Sequence, residues 1–344
     1  MKNKIAGATV TVMLLAGMSI PLARAGQQAD AKDPADPTQQ AFQLRMSGHI
    51  DEAKKALEEE LSANPDNSTA WFELARTEFY RAGQTQEMDT AQVAIEKALE
   101  KNPENVRYLC FAGFVAVYNT ILKGHAQKTD EMAPQMEKAI LALERALEVD
   151  PDCDEARLLL VSCYGNNPPD LGGDRSKAEQ DVEYLEKHSP VFGAEARCEF
   201  SEENQEGMVD LWKGFAEKLE SDPRVHENLA KQYARAGDAE KAIASVDRTL
   251  ELDPTRGQVL LDVALFLAFD KKLEPAEKII ERYLALEPAP PLSLQAYAQF
   301  ILGQVQKMQG KEKEATANLK KARDLDPYCW FTMRPPPEFL FETL

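Results

Sequence analysis

"HENLAKQYARAGDAEKAIASVDRTLELDP", residues 226–254, holds two amphipathic helix patterns separated by a glycine and closed by a proline. Leu229, Ala230 and Tyr233 line one face of the first pattern, and Gly237 turns the chain. Ala242 and Val246 then line the facing side of the second. Small Ala230 and Ala242 let the two backbones approach, while larger neighbours fill the space above and below. Pro254 ends the unit, because proline lacks the N–H and crowds the preceding carbonyl of a continuing helix.

Working outward, prolines recur at the same place in the pattern: Pro65, Pro103, Pro151, Pro190, Pro223, Pro254, Pro288 and Pro327. Their spacings of 38, 48, 39, 33, 31, 34 and 39 scatter about a 34-residue period. The small/large pattern recurs as Trp71, Leu74, Ala75, Ala91, Ile95 and Ala98, and again as Gly303, Gly310, Ala315, Leu319 and Ala322. Ala53 and Leu57 fit it, as do Ala139, Leu143 and Ala146, and Ala276, Ile280 and Tyr283. In residues 191–223, Leu211 takes the usual alanine position with Phe215 after it, the poorest fit in the chain.

Period and pattern together resemble the tetratricopeptide repeat. The resemblance implies an all-α solenoid of about eight helix-turn-helix units over residues 36–334, stacked into a right-handed superhelix with a concave groove. A single hairpin cannot bury its own apolar face, so stacking supplies the shared core.

The ends read differently. Lys2 and Lys4 precede an uncharged apolar run (5–23), and Ala23-Arg24-Ala25 offers a small-x-small cleavage pattern. Residues 1–25 are therefore expected to be a signal peptide cleaved before Gly26, placing the chain in the periplasm or outside the cell. A retained membrane anchor is the alternative, in which case the membrane is met only through this segment. Residues 26–35 are polar and expected to be disordered. Residues 335–344 form a Pro-rich, apolar tail. Trp330, Phe331, Phe339, Leu340 and Phe341 are expected to cap the last hairpin, or else to occupy a partner's groove.

The formal charge of −18 becomes −21 once Lys2, Lys4 and Arg24 leave with the leader. Such a surface repels polyanions, so nucleic acid is not expected as a partner. The stretch "NNPPDLGGDRSKA" (166–178) invites comparison with a phosphate-binding loop, but it lacks the GKS/GKT ending and follows no strand pattern. Asp174 reads as a helix N-cap occupying the place an anion would need, with Gly172 and Gly173 supplying turn freedom. His49, His125, His188 and His226 fall in separate repeats, and no metal-ligand spacing or nucleophile elbow is present. Neither catalysis nor a cofactor has a case in the sequence.

Binding does. Family positions place Phe72, Arg76, Phe79 and Tyr80 toward the groove in repeat two, and Phe114 and Tyr118 in repeat three. Leu261, Leu265 and Phe269, then Tyr297 and Phe300, follow in later repeats. Arg224, Lys231 and Arg235 form a basic step suited to clamping a carboxylate. Equally, curvature could bury these aromatics against neighbouring helices. Extended turns in repeats two (81–92), three (119–135) and four (166–173) lengthen one edge. Together these features imply a non-catalytic scaffold for a protein or peptide. The "LGGDRSKAEQ" turn is also similar to one in the T-component proteins of TRAP-type transporters, which gives the alternative of a ligand-binding accessory and a small-molecule ligand. No lipid-anchor cysteine follows the apolar run, a departure from that pattern. Of five cysteines, Cys163 and Cys198 lie on adjacent first helices about one turn apart in register, and are the pair expected to bond if any does.

Overall fold

Where proline interrupts the pattern, the chain changes helix. The structure, a computed structural model, describes residues 36–85, 88–200, 205–287, 289–290 and 292–326. The expected leader, the polar 26–35 segment, the apolar tail and Cys329 lie outside the described residues. Among those described there are sixteen α-helices, three short 3-10 turns and no strand.

The helices are α1 (Pro37–Met46), α2 (Ile50–Ala63), α3 (Ser68–Thr85), α4 (Asp89–Lys101), α5 (Val106–His125), α6 (Met132–Val149), α7 (Asp154–Asn166) and α8 (Arg175–His188). They continue as α9 (Pro190–Phe200), α10 (Gln205–Lys218), α11 (Pro223–Arg235), α12 (Ala239–Leu252), α13 (Val259–Phe269), α14 (Leu273–Leu284), α15 (Leu292–Met308) and α16 (Glu312–Leu325). In sequence order, six successive pairs pack as helix-turn-helix hairpins: α3–α4, α5–α6, α7–α8, α11–α12, α13–α14 and α15–α16.

The junction chemistry explains the boundaries. At "SDPRV" the Asp222 carboxylate accepts from the Arg224 N–H, and Pro223 takes the first helical position, where its missing N–H is no loss. Asn105, Asp174 and Asp238 cap α5, α8 and α12 in the same way, each accepting a backbone N–H of the first turn.

Two compact units divide the described residues: 36–44 with those of 51–200, and 45–50 with those of 205–326. In the first, α3 packs on α4, α5 on α6 and α7 on α8, with α4–α5 and α6–α7 contacts joining successive pairs. Ala91, Ile95, Ala98, Ala139, Leu143, Ala146, Ala178, Val182 and Leu185 are all fully buried, as the small/large pattern requires. Close approach is tightest at Gly113, where a Cβ would stand 2.6 Å from Leu143 Cγ and 3.3 Å from the Ala139 carbonyl. In the second unit α11 packs on α12, α13 on α14 and α15 on α16. There Gly303 repeats that packing, its absent Cβ falling 2.7 Å from Leu319 Cγ and 3.1 Å from the Ala315 carbonyl. The same glycine-against-alanine contact thus recurs in two repeats.

Two details differ from the sequence reading. In α10 the fully buried residue is Trp212, with Leu211 only half-buried, so the helix faces its core one position later than the alanine register implies. A tryptophan cannot be left in water when a small-residue site is missing, and it sets the register instead. Second, most of the extra length in repeats two and three is helix. α3 runs to Thr85 and α5 to His125, leaving short links before α4 and α6. In both repeats the helix runs on past a glycine, Gly83 and Gly124, with no proline to stop it, and so prolongs the hairpin. Only repeat four keeps a long turn. There Gly172 adopts φ 80°, and a Cβ on Gly173 would lie 1.8 Å from the Asn167 carbonyl oxygen. The Asp174 carboxylate accepts from the N–H groups of Ser176 and Lys177, at 3.0 and 3.1 Å, so the phosphate-loop comparison ends in a capped turn.

Candidate functional site

An aromatic face on α3 and α5, both in the first unit, is the largest gathering of the groove residues expected from sequence. On α3 the spacing of Phe72, Phe79 and Tyr80 places them along one side over about two turns. On α5, Tyr108, Phe111, Phe114 and Tyr118 follow at three- and four-residue steps, a single helical stripe.

The rings meet across the two helices. Phe72 stacks on Tyr108 at 4.7 Å and meets Phe111 edge-on at 5.5 Å. Phe79 lies 5.3 Å from Phe114 and 5.3 Å from Tyr118, while Phe114 and Tyr118 are 4.8 Å apart. These separations suit the offset and edge-to-face contacts that ring quadrupoles favour. Phe72 and Phe114 are buried, so they serve the packing; Phe79, Tyr80 and Tyr118 remain half-buried and accessible. Burial pushes the Tyr118 hydroxyl up to about 12, which keeps it a neutral hydrogen-bonding group at physiological pH.

Guanidinium groups border the rings. Arg76 lies 5.7 Å from the rings of both Phe42 and Phe72, and its Nη1 donates to Glu73 Oε1 at 2.9 Å. Arg107 lies 4.8 Å from the Phe72 ring. At the far end, Asn119 donates to Gln92 and Asp89 on α4 at 2.8 and 3.0 Å. That bond, followed by the Lys123 charge, outweighs burial and holds the Asp89 carboxyl below its ordinary value.

The basic step takes another form in the second unit. Lys231 is buried, with Nζ 2.8 Å from Glu227 and 3.1 Å from Asp262. Glu227 also binds Arg256. Burial opposes the Lys231 charge, but the two carboxylates overcome it and raise the ammonium above its usual range. The same burial would raise Glu227, and Lys231 and Arg256 instead hold it low. Arg224 pairs with Asp222 at 3.3 Å, and Arg235 lies 4.2 Å from the Phe266 ring. The three cations are therefore engaged within the unit: the Lys231 charge is already met by carboxylates, which corrects its reading as a carboxylate clamp. Leu261 and Phe300 are buried, whereas Leu265, Phe269 and Tyr297 are half-buried.

Sequence reasoning missed Tyr108, Phe111 and Arg107, although the stripe from Tyr108 to Tyr118 is visible once the helix is drawn. Nor did it bring together Cys110 and Cys153, whose sulfurs lie 3.6 Å apart. No group of His, Cys, Asp or Glu among the described residues could hold a metal ion. No described helix is long and apolar enough to cross a membrane.

Paired helices with small residues at the crossing define an all-α helix-turn-helix repeat protein. A family model described as tetratricopeptide repeat matches residues 44–87. Beyond the matched segment, the same helix-turn-helix pairing recurs in α5–α6, α7–α8, α11–α12, α13–α14 and α15–α16. Similar solved structures include a thermophilic TPR protein of Thermus thermophilus, at 21% identity over 67% of this chain and 97% of that one, TM-score 0.41. A tetratricopeptide repeat protein from Parabacteroides merdae is 14% identical over 87% and 98%, TM-score 0.39. The human IFIT1 dimer with PPP-AAAA is 18% identical over 83% and 75%, TM-score 0.44. No curated protein matches the sequence significantly.

Proposed function

We propose that the chain is a non-catalytic scaffold that receives a peptide segment of a protein partner on the aromatic face of α3 and α5. The observation carrying this reading is the half-buried trio Phe79, Tyr80 and Tyr118, backed by the buried rings of Phe72 and Phe114. Phe79 and Tyr118, already held by neighbouring rings, lose little freedom when a ligand covers them, so their remaining surface binds at low entropic cost. The partner segment carries apolar or aromatic side chains, and its main chain finds donors in Arg76 and Arg107 at the rim. A net charge of −18 disfavours nucleic acid at this surface.

We further propose that the chain works outside the cytoplasm after cleavage before Gly26. N-terminal sequencing of protein from the envelope fraction checks this; a mature chain starting at Met1 refutes it. Binding is tested by capture from envelope extract with wild-type chain, Phe79→Leu and Tyr80→Ala. A stoichiometric partner should be retained by wild type and lose at least tenfold in affinity with the pair of substitutions, at unchanged helical circular dichroism. Equal affinity removes the aromatic face from the account.

A further inference from the structure

We infer that Cys110 and Cys153 are a built-in thiol pair that closes to a disulfide when the folded chain meets a disulfide-bearing oxidant. The two residues are 43 positions apart in sequence, yet their sulfurs lie 3.6 Å apart. That is van der Waals contact, and small side-chain rotations bring it to the ~2.05 Å of an S–S bond.

Both positions are fixed by the fold. Cys110 stands in the first turns of α5, immediately before Phe111 of the aromatic stripe, and Cys153 is the N-cap residue of α7. They pack into one apolar cluster with Leu109, Ala156 and Leu160, so neither sulfur can drift far from the other.

The chemistry of the two sulfurs is unequal. The Cys110 thiol and the Ala156 N–H both donate toward Cys153 and hold it below its ordinary value against the opposing effect of burial. Cys110 is raised, first by its bond to Cys153 and then by burial. Either sulfur can attack first, and with Cys153 leading the two exchanges balance. With glutathione disulfide, Cys153 Sγ forms a bond to one glutathione sulfur, the oxidant's S–S bond breaks, and one glutathione thiolate leaves. Cys110 then gives its proton to water and its sulfur attacks Cys153 Sγ, expelling the second glutathione. The two protein thiols lose two protons and two electrons in all, and glutathione disulfide is reduced to two thiols.

Closure joins the first helix of repeat three to the start of repeat four, beside the aromatic stripe. This inference does not depend on what binds there. The full chain, folded, is incubated with glutathione disulfide or with reduced glutathione, then alkylated, digested and mapped by mass. The oxidised sample should yield one cross-linked species joining the Cys110 and Cys153 peptides, lighter by two hydrogens, and a Tm higher by at least a few degrees. Cys153→Ser should leave Cys110 alkylatable and abolish the Tm difference; Cys110→Ala provides the reciprocal check should the first variant fold poorly. Full alkylation of both residues after oxidation, or a cross-link from Cys110 to Cys163, Cys198 or Cys329, overturns the inference.

Discussion

Replacing Lys231 by methionine removes one charge from a buried network while keeping most of the side-chain volume. In the wild type the ammonium meets Glu227 at 2.8 Å and Asp262 at 3.1 Å, linking α11 to α13. Losing it leaves two carboxylates in a dry site with less positive charge to balance them. Breaking a buried pair in this way costs about 3–5 kcal/mol, because the remaining charge keeps its desolvation penalty. At ~3 °C per kcal/mol for a unit of this size, the second unit should melt about 9–15 °C earlier. The effect also has a pH signature. Glu227 is held below its ordinary carboxyl value in the fold, so its stabilisation is complete above the unfolded carboxyl pKa. It is lost as pH falls through the lower, folded value. The gap between wild type and Lys231→Met should therefore be constant near neutral pH and narrow below about pH 4. Lys231, raised in the fold, keeps its charge across the same window and adds no slope of its own. Thermal melts followed by circular dichroism at 222 nm, at pH 7 and pH 3.5, read both quantities. Exposed Lys241, paired with Asp238, is the control, and its replacement should change nothing measurable. A Lys231→Met melt indistinguishable from wild type at pH 7 refutes the reasoning.

Other expectations follow from the packing. Gly113→Ala drives a methyl to 2.6 Å from the Cγ of fully buried Leu143, so it should cost about 1–3 kcal/mol in urea unfolding. Gly303→Ala meets Leu319 at 2.7 Å, but that leucine is half-buried and can swing aside, so its cost should be the smaller of the two. Asp174→Ala should cost about 1 kcal/mol through the lost cap. Gly173→Ala should cost more, since its Cβ would fall 1.8 Å from a backbone oxygen and the turn would have to reopen; equal costs for the two would contradict the turn geometry.

The repeat was legible because its signals are local. Pro223 behind Asp222 sets a helix start, and Ala230 against Ala242 sets a hairpin, each within a few residues. Where local signals conflict, the reading slips: Trp212 displaced Leu211 as the core residue of α10, since ring volume outweighed the alanine register. Loop length misled for a similar reason, as α5 absorbed residues through His125 that could equally have formed a turn. The aromatic face was half legible. Phe72, Phe79, Phe114 and Tyr118 come from the family positions, but Tyr108 and Phe111 needed the contact across α3 and α5. Contacts at long sequence separation were invisible: Asp262 against Lys231, and Cys153 against Cys110, arise only when separate repeats pack.

Whether partner binding uses the aromatic face is tested most directly by placing a photo-cross-linking amino acid at Tyr80, or at Val93 on α4 as the control. Val93 is an exposed apolar residue of α4, 55% accessible. After irradiation in envelope extract, the account predicts a discrete adduct from position 80 and none from position 93. Adducts from position 93 alone, or equally from both, would contradict it.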